Sequence, residues 1–132
     1  MSEIRVTTLS DSGGSNSSTA AQLFSGRAKA WVNFNGQGTV AIRDDFNVNS
    51  IDDLGTAEYR INWSTAFANA NYCVVTGSSI QSDSSTMTLY QNRWDGSEPE
   101  PNNTAYVECS ARESSANQVK DITYGYLAAY DN

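Results

Sequence analysis

Apolar and polar residues alternate along most of this 132-residue chain, in short runs separated by turn-forming residues. The clearest run lies at residues 56–63, where Ala57, Tyr59, Ile61 and Trp63 alternate with polar neighbours. Side chains two residues apart lie on the same face of a β-strand. This run therefore predicts a strand with one buried and one solvated face.

Residues 28–51 contain two further alternating runs, joined by the sequence Asn-Gly-Gln-Gly at residues 35–38. In the first run Ala30, Val32 and Phe34 fall on one face. Asn and Gly both tolerate the positive φ that a tight primed turn requires. The sequence therefore predicts a β-hairpin with its turn at Asn-Gly.

Acidic pairs after this turn predict two further turns, because Asp side chains bond to nearby backbone N–H groups. We expect Asp44 and Asp45 to open one turn and residues 52–55 to form the next. Between them, the alternation predicts that Phe46 and Val48 point in the same direction.

The second half of the chain predicts more short strands, separated by polar connections. These predicted strands cover residues 72–76, 86–90, 105–111 and 120–130. The first of them is continuously apolar, which favours the centre of a sheet. In the last, one face is expected to carry Ile122, Tyr124, Tyr126, Ala128 and Tyr130. That amphipathic surface suits a subunit interface as well as a core.

The N-terminal residues combine a β-prone run, with Ile4, Val6 and Leu9, and a polar low-complexity segment at residues 10–19. Such a polar segment behaves as a flexible linker in isolation. The two interpretations are a disordered tail and an arm that becomes ordered against a neighbouring subunit. A β-prone run ahead of a linker favours the arm, because a strand needs a sheet edge to pair with.

The predicted elements define a fold class. One short helix is predicted at residues 19–24, with Thr19 as its N-cap. Beyond it come about eight short strands with short connections, and no long helix. We therefore predict an all-β fold, an antiparallel β-sandwich or jelly-roll-like domain at residues 26–132. Residues 1–25 are predicted to form an extended N-terminal arm that attaches the domain to a partner.

Charge and hydropathy exclude some classes of partner. The formal net charge is −7, and no Lys/Arg cluster reverses it locally, so we expect no nucleic-acid partner. No apolar run is long enough to span a bilayer, so we expect no membrane insertion. The opening residues show no secretory signal, and synthesis in a cytoplasm is the expectation.

The residues available for catalysis are few. The chain contains no histidine, which removes Ser-His-Asp, Cys-His and histidine-based zinc chemistry together. Cys73 and Cys109 each fall in a predicted strand, and we expect two reduced, buried thiols, with one bridge between them as the alternative.

Among the side chains of this sequence, the clustered carboxylates are the best candidates for a catalytic site. They cluster at Asp44, Asp45, Asp52 and Asp53, and again at Asp95, Glu98 and Glu100. Two carboxylates at a suitable separation can cleave a glycosidic bond. Acidic residues in turns are explained by turn formation alone, however. We predict that the protein is not an enzyme, and we predict no catalytic residue, cofactor or metal.

Both prolines fall within residues 92–103, which predicts a long loop. Trp94 lies in this loop beside Arg93, with Tyr90 shortly before it. An exposed loop tryptophan suits sugar stacking or a protein contact. The alternative is that Trp94 folds back over a sheet edge. Trp94, Tyr90 and Arg93 are therefore the candidate ligand-contact residues.

Residues 26–51, with the sequence GRAKAWVNFNGQGTVAIRDDFNVNSI, resemble a module that is common in virion proteins of tailed bacteriophages, prominently marine and cyanobacterial phages. The module has the pattern K-A-W-x-N-F-N-G-x-G-T-V-A-I-R. Later parts of the family pattern resemble the segments DDLG at 52–55, YRINW at 59–63 and ANY at 70–72, and residues 2–6 resemble the start of such proteins. The resemblance covers about half of the chain and becomes vague after Tyr72.

The resemblance implies a non-enzymatic structural protein of a virion, made in the host bacterial cytoplasm. On this hypothesis the chain is a tail-fibre or appendage component involved in host attachment. It would form a homotrimer, bind other virion proteins through the arm residues Ile4, Val6 and Leu9, and contact host surface glycan through variable loops. The alternatives are a capsid decoration (cement) protein whose arm lies across capsid subunits, and a polysaccharide depolymerase.

Overall fold

The computed structural model describes residues 2–3, 5–79, 87–91, 102–113 and 118–131. In chain order its elements are β1 (Thr8–Ser10), β2 (Ser17–Thr19), α1 (Ala20–Gly26), β3 (Ala30–Asn35), β4 (Ala41–Phe46), β5 (Val48–Gly55), β6 (Glu58–Trp63), β7 (Cys73–Ser78), β8 (Met87–Gln91), β9 (Tyr106–Glu113) and β10 (Gly125–Tyr130). Two antiparallel four-stranded sheets pack face to face, which confirms the prediction of an all-β sandwich.

The first sheet has the strand order β4-β3-β10-β7, and the second has the order β5-β6-β9-β8. The chain crosses directly from the first sheet to the second between β4 and β5. On the opposite side, the hydroxyl of Thr76 on β7 donates to the carbonyl of Leu89 on β8, and that of Ser78 donates to the carbonyl of Met87 at 2.7 Å. These bonds satisfy backbone acceptors along the edge of the second sheet and tie the two sheets together.

The core contains the inward faces that the alternation predicted. Ala30, Val32 and Phe34 are buried on β3, and the alternating apolar residues of β6 are buried opposite them. The rings of Phe34 and Tyr59 meet edge to face across the two sheets, with centroids 5.2 Å apart. Such contacts combine burial of aromatic area with a favourable ring geometry.

The predicted hairpin is confirmed, because β3 and β4 pair antiparallel, but its loop is longer than the Asn-Gly pair. Asn35 pairs with Ala41, so the β3–β4 loop spans residues 36–40, and within it Gly38 has the left-handed φ of 67°. Gly36 serves a different purpose, because a Cβ there would lie 2.4 Å from the hydroxyl oxygen of Tyr59. Glycine at this position permits the close approach of the two sheets rather than a tight turn.

The corner between the sheets lies at Asn47, not at the acidic pair before it. Asn47 has a φ of 59°, and its amide group donates to the carbonyls of Lys29 and Thr65. The left-handed residue turns the chain, so that Phe46 is 52% exposed whereas Val48 is buried. The prediction that these two side chains share a direction is therefore wrong.

The acidic pairs themselves do not form the turns, although the Asp45 carboxylate accepts from the N–H of Val48 across the corner at Asn47. Asp44 and Asp45 lie within β4, and the second pair, Asp52 and Asp53, lies within β5. The β5–β6 turn instead falls at residues 56–57, just after Gly55, which has a φ of 144°. Glycine readily adopts this backbone region, which determines where the turn forms.

Two expectations about the second half need correction. The apolar strand β7 lies at the edge of the first sheet rather than at its centre. Cys73 on this strand is exposed, whereas Cys109 is buried, and both are free thiols. Only one of the two expected buried cysteines is thus found in the core.

In the last strand, β10, the predicted common face is confirmed for Tyr126, Ala128 and Tyr130, and it is the outer face of the sheet. Leu127 and Ala129 point inward. Ile122 is buried but precedes the strand, and so it does not continue the tyrosine row.

The N-terminal helix is confirmed. The backbone N–H of Gln22 donates to the Thr19 hydroxyl at 3.1 Å, and the Gln22 side chain accepts from the Thr19 N–H at 2.8 Å, forming a capping box. The polar segment predicted as a linker instead forms the loop of a hairpin between β1 and β2. Residues 5–26, hereafter the N-terminal segment, therefore have local structure, although α1 buries none of its residues.

Candidate interaction surfaces

The outer face of the second sheet is polar and internally paired. Cross-strand neighbours Asp52, Arg60 and Glu108 form a charged row. The Arg60 guanidinium donates to Glu108 at 2.6 and 2.9 Å and lies 4.5 Å from the ring centroid of Tyr106. Hydrogen bonding to Glu108 raises the pKa of Arg60. This face satisfies its own charges and is suited to water.

The outer face of the first sheet is apolar. Phe46, Trp31, Ala128 and Val75 lie side by side across its four strands, and Tyr126 lies in the adjacent row. These five residues are called the aromatic face below. Phe46 is 52% exposed, Trp31 37%, Val75 56% and Tyr126 44%. An apolar row across a whole sheet is unusual for a surface in contact with water only.

A shallow depression of about 460 Å³ lies on the aromatic face, lined by Trp31, Asn33, Val75, Gly77 and Tyr126 among others. Gly77 lies opposite Tyr126 in the pairing of β7 with β10. Its lack of a side chain leaves room beside the Tyr126 ring, which explains the depression at this place.

One further tyrosine, Tyr124, extends the aromatic face along its flank and is included in it from here on. The rings of Tyr124 and Tyr126 stack with centroids 6.4 Å apart, and the Arg43 guanidinium lies 4.0 Å from the centroid of Tyr124. Arg43 also donates to the carbonyl of Phe34 at 2.6 Å. The ring planes are thereby held in place before any partner binds.

Asn33 is the polar exception in the middle of this surface. By register it lies between Asp44 and Tyr126. Its Oδ1 atom is one of three buried side-chain polar atoms in the described part of the chain that have no hydrogen-bond partner. A buried polar atom without a hydrogen-bond partner costs free energy, so Asn33 is an unfavourable feature within this sheet.

A second apolar surface is formed by the N-terminal segment. Leu9 is 53% exposed, Leu23 44% and Phe24 50%. The cations of Arg27 and Lys29 lie 4.8 and 3.2 Å from the centroid of the Phe24 ring. This segment thus presents apolar side chains next to positive charge.

Only some of the contact residues predicted from the sequence lie within the part of the chain that the structure describes. Tyr90 lies on β8 and is 48% exposed, while Arg93 and Trp94 fall outside the described residues. Of the arm residues, Val6 and Leu9 are 45% and 53% exposed, and Ile4 lies outside the described residues. The contact roles assigned to these six residues stay predictions.

The carboxylates of β4 and β5 serve local structure. Asp45 accepts from the N–H of Val48 at 3.3 Å, and Asp53 accepts from the N–H of Gly55 at 3.1 Å. The carboxylate of Asp52 accepts from the Asn62 amide at 3.0 Å. Within the described ranges there is no group of three His, Cys, Asp or Glu residues able to hold a metal ion. The second acidic cluster, Asp95, Glu98 and Glu100, lies outside those ranges.

A buried polar cluster centred on Tyr59 is structural. The Tyr59 hydroxyl donates to the Gly36 carbonyl at 3.0 Å and accepts from the N–H of Ile122 at 3.3 Å. Nearby, Asp121 accepts from the N–H of Ala57 at 2.7 Å, which holds that residue in its left-handed conformation with a φ of 63°. The cluster joins three loops at one end of the sandwich.

Sequence reasoning missed Phe46, Val75, Leu23 and Phe24 as surface residues. A signal for Val75 was present, because the continuous apolar run of β7 places apolar side chains on both faces of the strand. That pattern favours a central strand, but it fits equally well an edge strand whose outer face is covered by a partner.

Scans against protein-family models, curated proteins and solved structures find no match to this chain. Among the described residues, none of the helices has the length and hydrophobicity needed to cross a membrane.

Proposed function

We propose that this chain is a non-enzymatic structural protein of a tailed-bacteriophage virion, a tail-fibre or appendage component that contributes to host attachment. The proposal combines the resemblance of residues 26–72 to virion modules with the surface chemistry of the sandwich.

The difference between the two outer faces carries the proposal. One face pairs its own charges through Arg60 and Glu108, whereas the other exposes Trp31, Phe46 and Val75 in one row. A sandwich with one wet face and one apolar face is suited to an assembly in which each copy is covered on one side. The described acids have local structural roles, which favours a structural function over catalysis.

Counting copies in the purified particle tests this proposal. Quantitative mass spectrometry of virions, calibrated against the major capsid protein, is expected to find the chain in a small copy number that matches the symmetry of the tail. Hundreds of copies on the shell would instead favour the alternative, a capsid decoration protein. Absence from particles would contradict both.

An assay for released reducing sugar tests the alternative that the protein is a polysaccharide depolymerase. Purified protein incubated with host surface polysaccharide is expected to release none. A turnover that increases with protein concentration would contradict the structural proposal and favour a depolymerase.

Replacing Trp94 with alanine is expected to reduce adsorption of the phage to host cells about tenfold or more, if this residue contacts the receptor as the sequence predicts. Adsorption rates of otherwise identical particles measure the effect. Tyr106→Phe is a matched control, since that ring lies under Arg60 on the polar face. Equal adsorption of the Trp94 variant and the control would remove this loop from the attachment surface.

A further inference from the structure

We infer that the N-terminal segment of one copy docks on the aromatic face of a second copy, so that the chains associate head to tail. The inference rests on the proposed function as a structural subunit, and it identifies the partner of the aromatic face as another copy of this chain.

The N-terminal segment has no core of its own. It consists of two three-residue strands and a seven-residue helix, and the helix buries no residue. Its large apolar side chains, Leu9, Leu23 and Phe24, are all more than two-fifths exposed. Elements this short are marginally stable alone, so the segment needs an external surface to bury these side chains.

The aromatic face is large enough to receive such a segment. Trp31, Phe46, Tyr124 and Tyr126 are between 37% and 52% exposed. With about 200 Å² for a whole aromatic side chain, these four rings present about 350 Å² of exposed area. A standard interface buries about 800 Å² per partner, with an apolar centre and a polar rim. The exposed rings therefore supply such a centre.

The charges next to the two surfaces are complementary. The cations of Arg27 and Lys29 both lie next to the ring of Phe24. The pKa of Lys29 is lowered, mainly by partial burial and then by the nearby charge of Arg27. On the acceptor side, Asp44 is exposed, one row away from Trp31 and Phe46. The neighbouring cation of Arg43 is already held over the ring of Tyr124. A cation that arrives with Phe24 would approach this carboxylate. Opposite charges at the rim favour one orientation of docking.

The N-terminal segment and the aromatic face are different surfaces, and this difference restricts the symmetry that an oligomer of this chain can have. An interface between unlike surfaces is heterologous, and it generates either a closed ring or an open filament. A ring of three copies agrees with the homotrimer expected of an appendage protein. In such a ring every N-terminal segment and every aromatic face is covered.

A mixing experiment on the full chain tests the inference. The donor variant is Leu23→Ser with Phe24→Ser, and the acceptor variant is Trp31→Thr with Val75→Thr. Val119→Ser, at a residue that is 41% exposed and lies outside both surfaces, is the control. Native mass spectrometry is expected to show an oligomer for the wild type and for the control, and a monomer for each double variant. Their dissociation constants should rise by about 30-fold or more, as for the loss of a central aromatic anchor.

Mixing the two double variants gives the sharpest result. The donor variant retains its aromatic face, and the acceptor variant retains its N-terminal segment. An equimolar mixture should therefore form a 1:1 heterodimer with one intact interface. A wild type that stays monomeric, a donor variant that still self-associates, or a mixture that stays monomeric would each overturn the inference.

Reversing the charge at residue 27 or at residue 44 provides a second pair of variants, for use if a double variant fails to fold. Arg27→Glu and Asp44→Arg both change exposed residues. Each alone is expected to weaken self-association about tenfold, and a mixture of the two single variants should recover association. Unchanged association in both would overturn head-to-tail docking. The copy number in virions is measured separately, so failure here leaves the proposed function to its own test.

Discussion

Replacing Gly125 with alanine is expected to lower the free energy of unfolding by about 2–3 kcal/mol. Gly125 begins β10 and is buried. A Cβ there would lie 2.3 and 2.4 Å from two atoms of the Phe34 ring and 2.9 Å from Cδ1 of Ile122. Phe34 and Ile122 are fully buried, so neither can move without disturbing the packing between the sheets.

Urea unfolding at neutral pH measures this loss, and the midpoint of thermal unfolding should fall by about 10 °C. Gly77→Ala is the matched control, because Gly77 lies on the neighbouring strand and its nearest contact would be Tyr126 at 3.8 Å. The control is expected to leave stability unchanged or to raise it by up to about 1 kcal/mol. Equal effects of the two substitutions would show that the space at Gly125 is not tight.

Alkaline pH is expected to remove about 4 kcal/mol of stability by pH 11. Burial raises the pKa of the Cys109 thiol above its ordinary 9.0 and that of the Tyr59 phenol above its ordinary 10.0. The unfolded chain therefore loses these protons first, and the folded state binds more protons. Stability falls as pH rises from about 9 for the thiol and from about 10 for the phenol, by about 1.4 kcal/mol per pH unit for each.

Unfolding by urea between pH 7 and about pH 11 measures this slope. In Cys109→Ala the decrease in unfolding free energy that starts near pH 9 should disappear, whatever the stability of that variant at pH 7. Cys73→Ala removes the exposed thiol and serves as the control. A Cys109 variant with the same pH slope as the control would contradict the buried, protonated state of this thiol.

The sequence predicted those parts of the fold that depend on local pattern. Period-two alternation identified the inward faces of β3 and β6, and an N-cap residue identified the start of α1. These features arise because burial and capping act within a few residues along the chain.

The parts that could not be predicted depend on contacts between distant segments. Gly36 lacks a side chain because Tyr59, from the other sheet, approaches it, and the Asn47 corner is held by bonds to Lys29 and Thr65. The acidic pairs that favour turns locally lie within strands, since β4 and β5 continue pairing past them. Tertiary pairing overrode the local preference.

In the candidate surfaces, too, the features set by local pattern were predicted and those set by contacts between distant strands were not. Alternation identified the tyrosines of the last strand, Tyr126 and Tyr130, as a shared face that suits a subunit contact. Alternation alone cannot tell which face of a two-sided apolar strand is covered by the partner sheet. The register of four strands was needed to bring Trp31, Phe46 and Val75 into one row.

A reconstruction of the intact phage particle tests the central claim most directly, namely that this chain is a structural subunit covered on one face. We predict density for the sandwich in the tail or an attached appendage, with the outer face of Trp31, Phe46 and Val75 packed against a neighbouring chain and the Arg60–Glu108 face open to solvent. A particle in which the aromatic face is open to solvent, or which lacks the chain, would contradict the account.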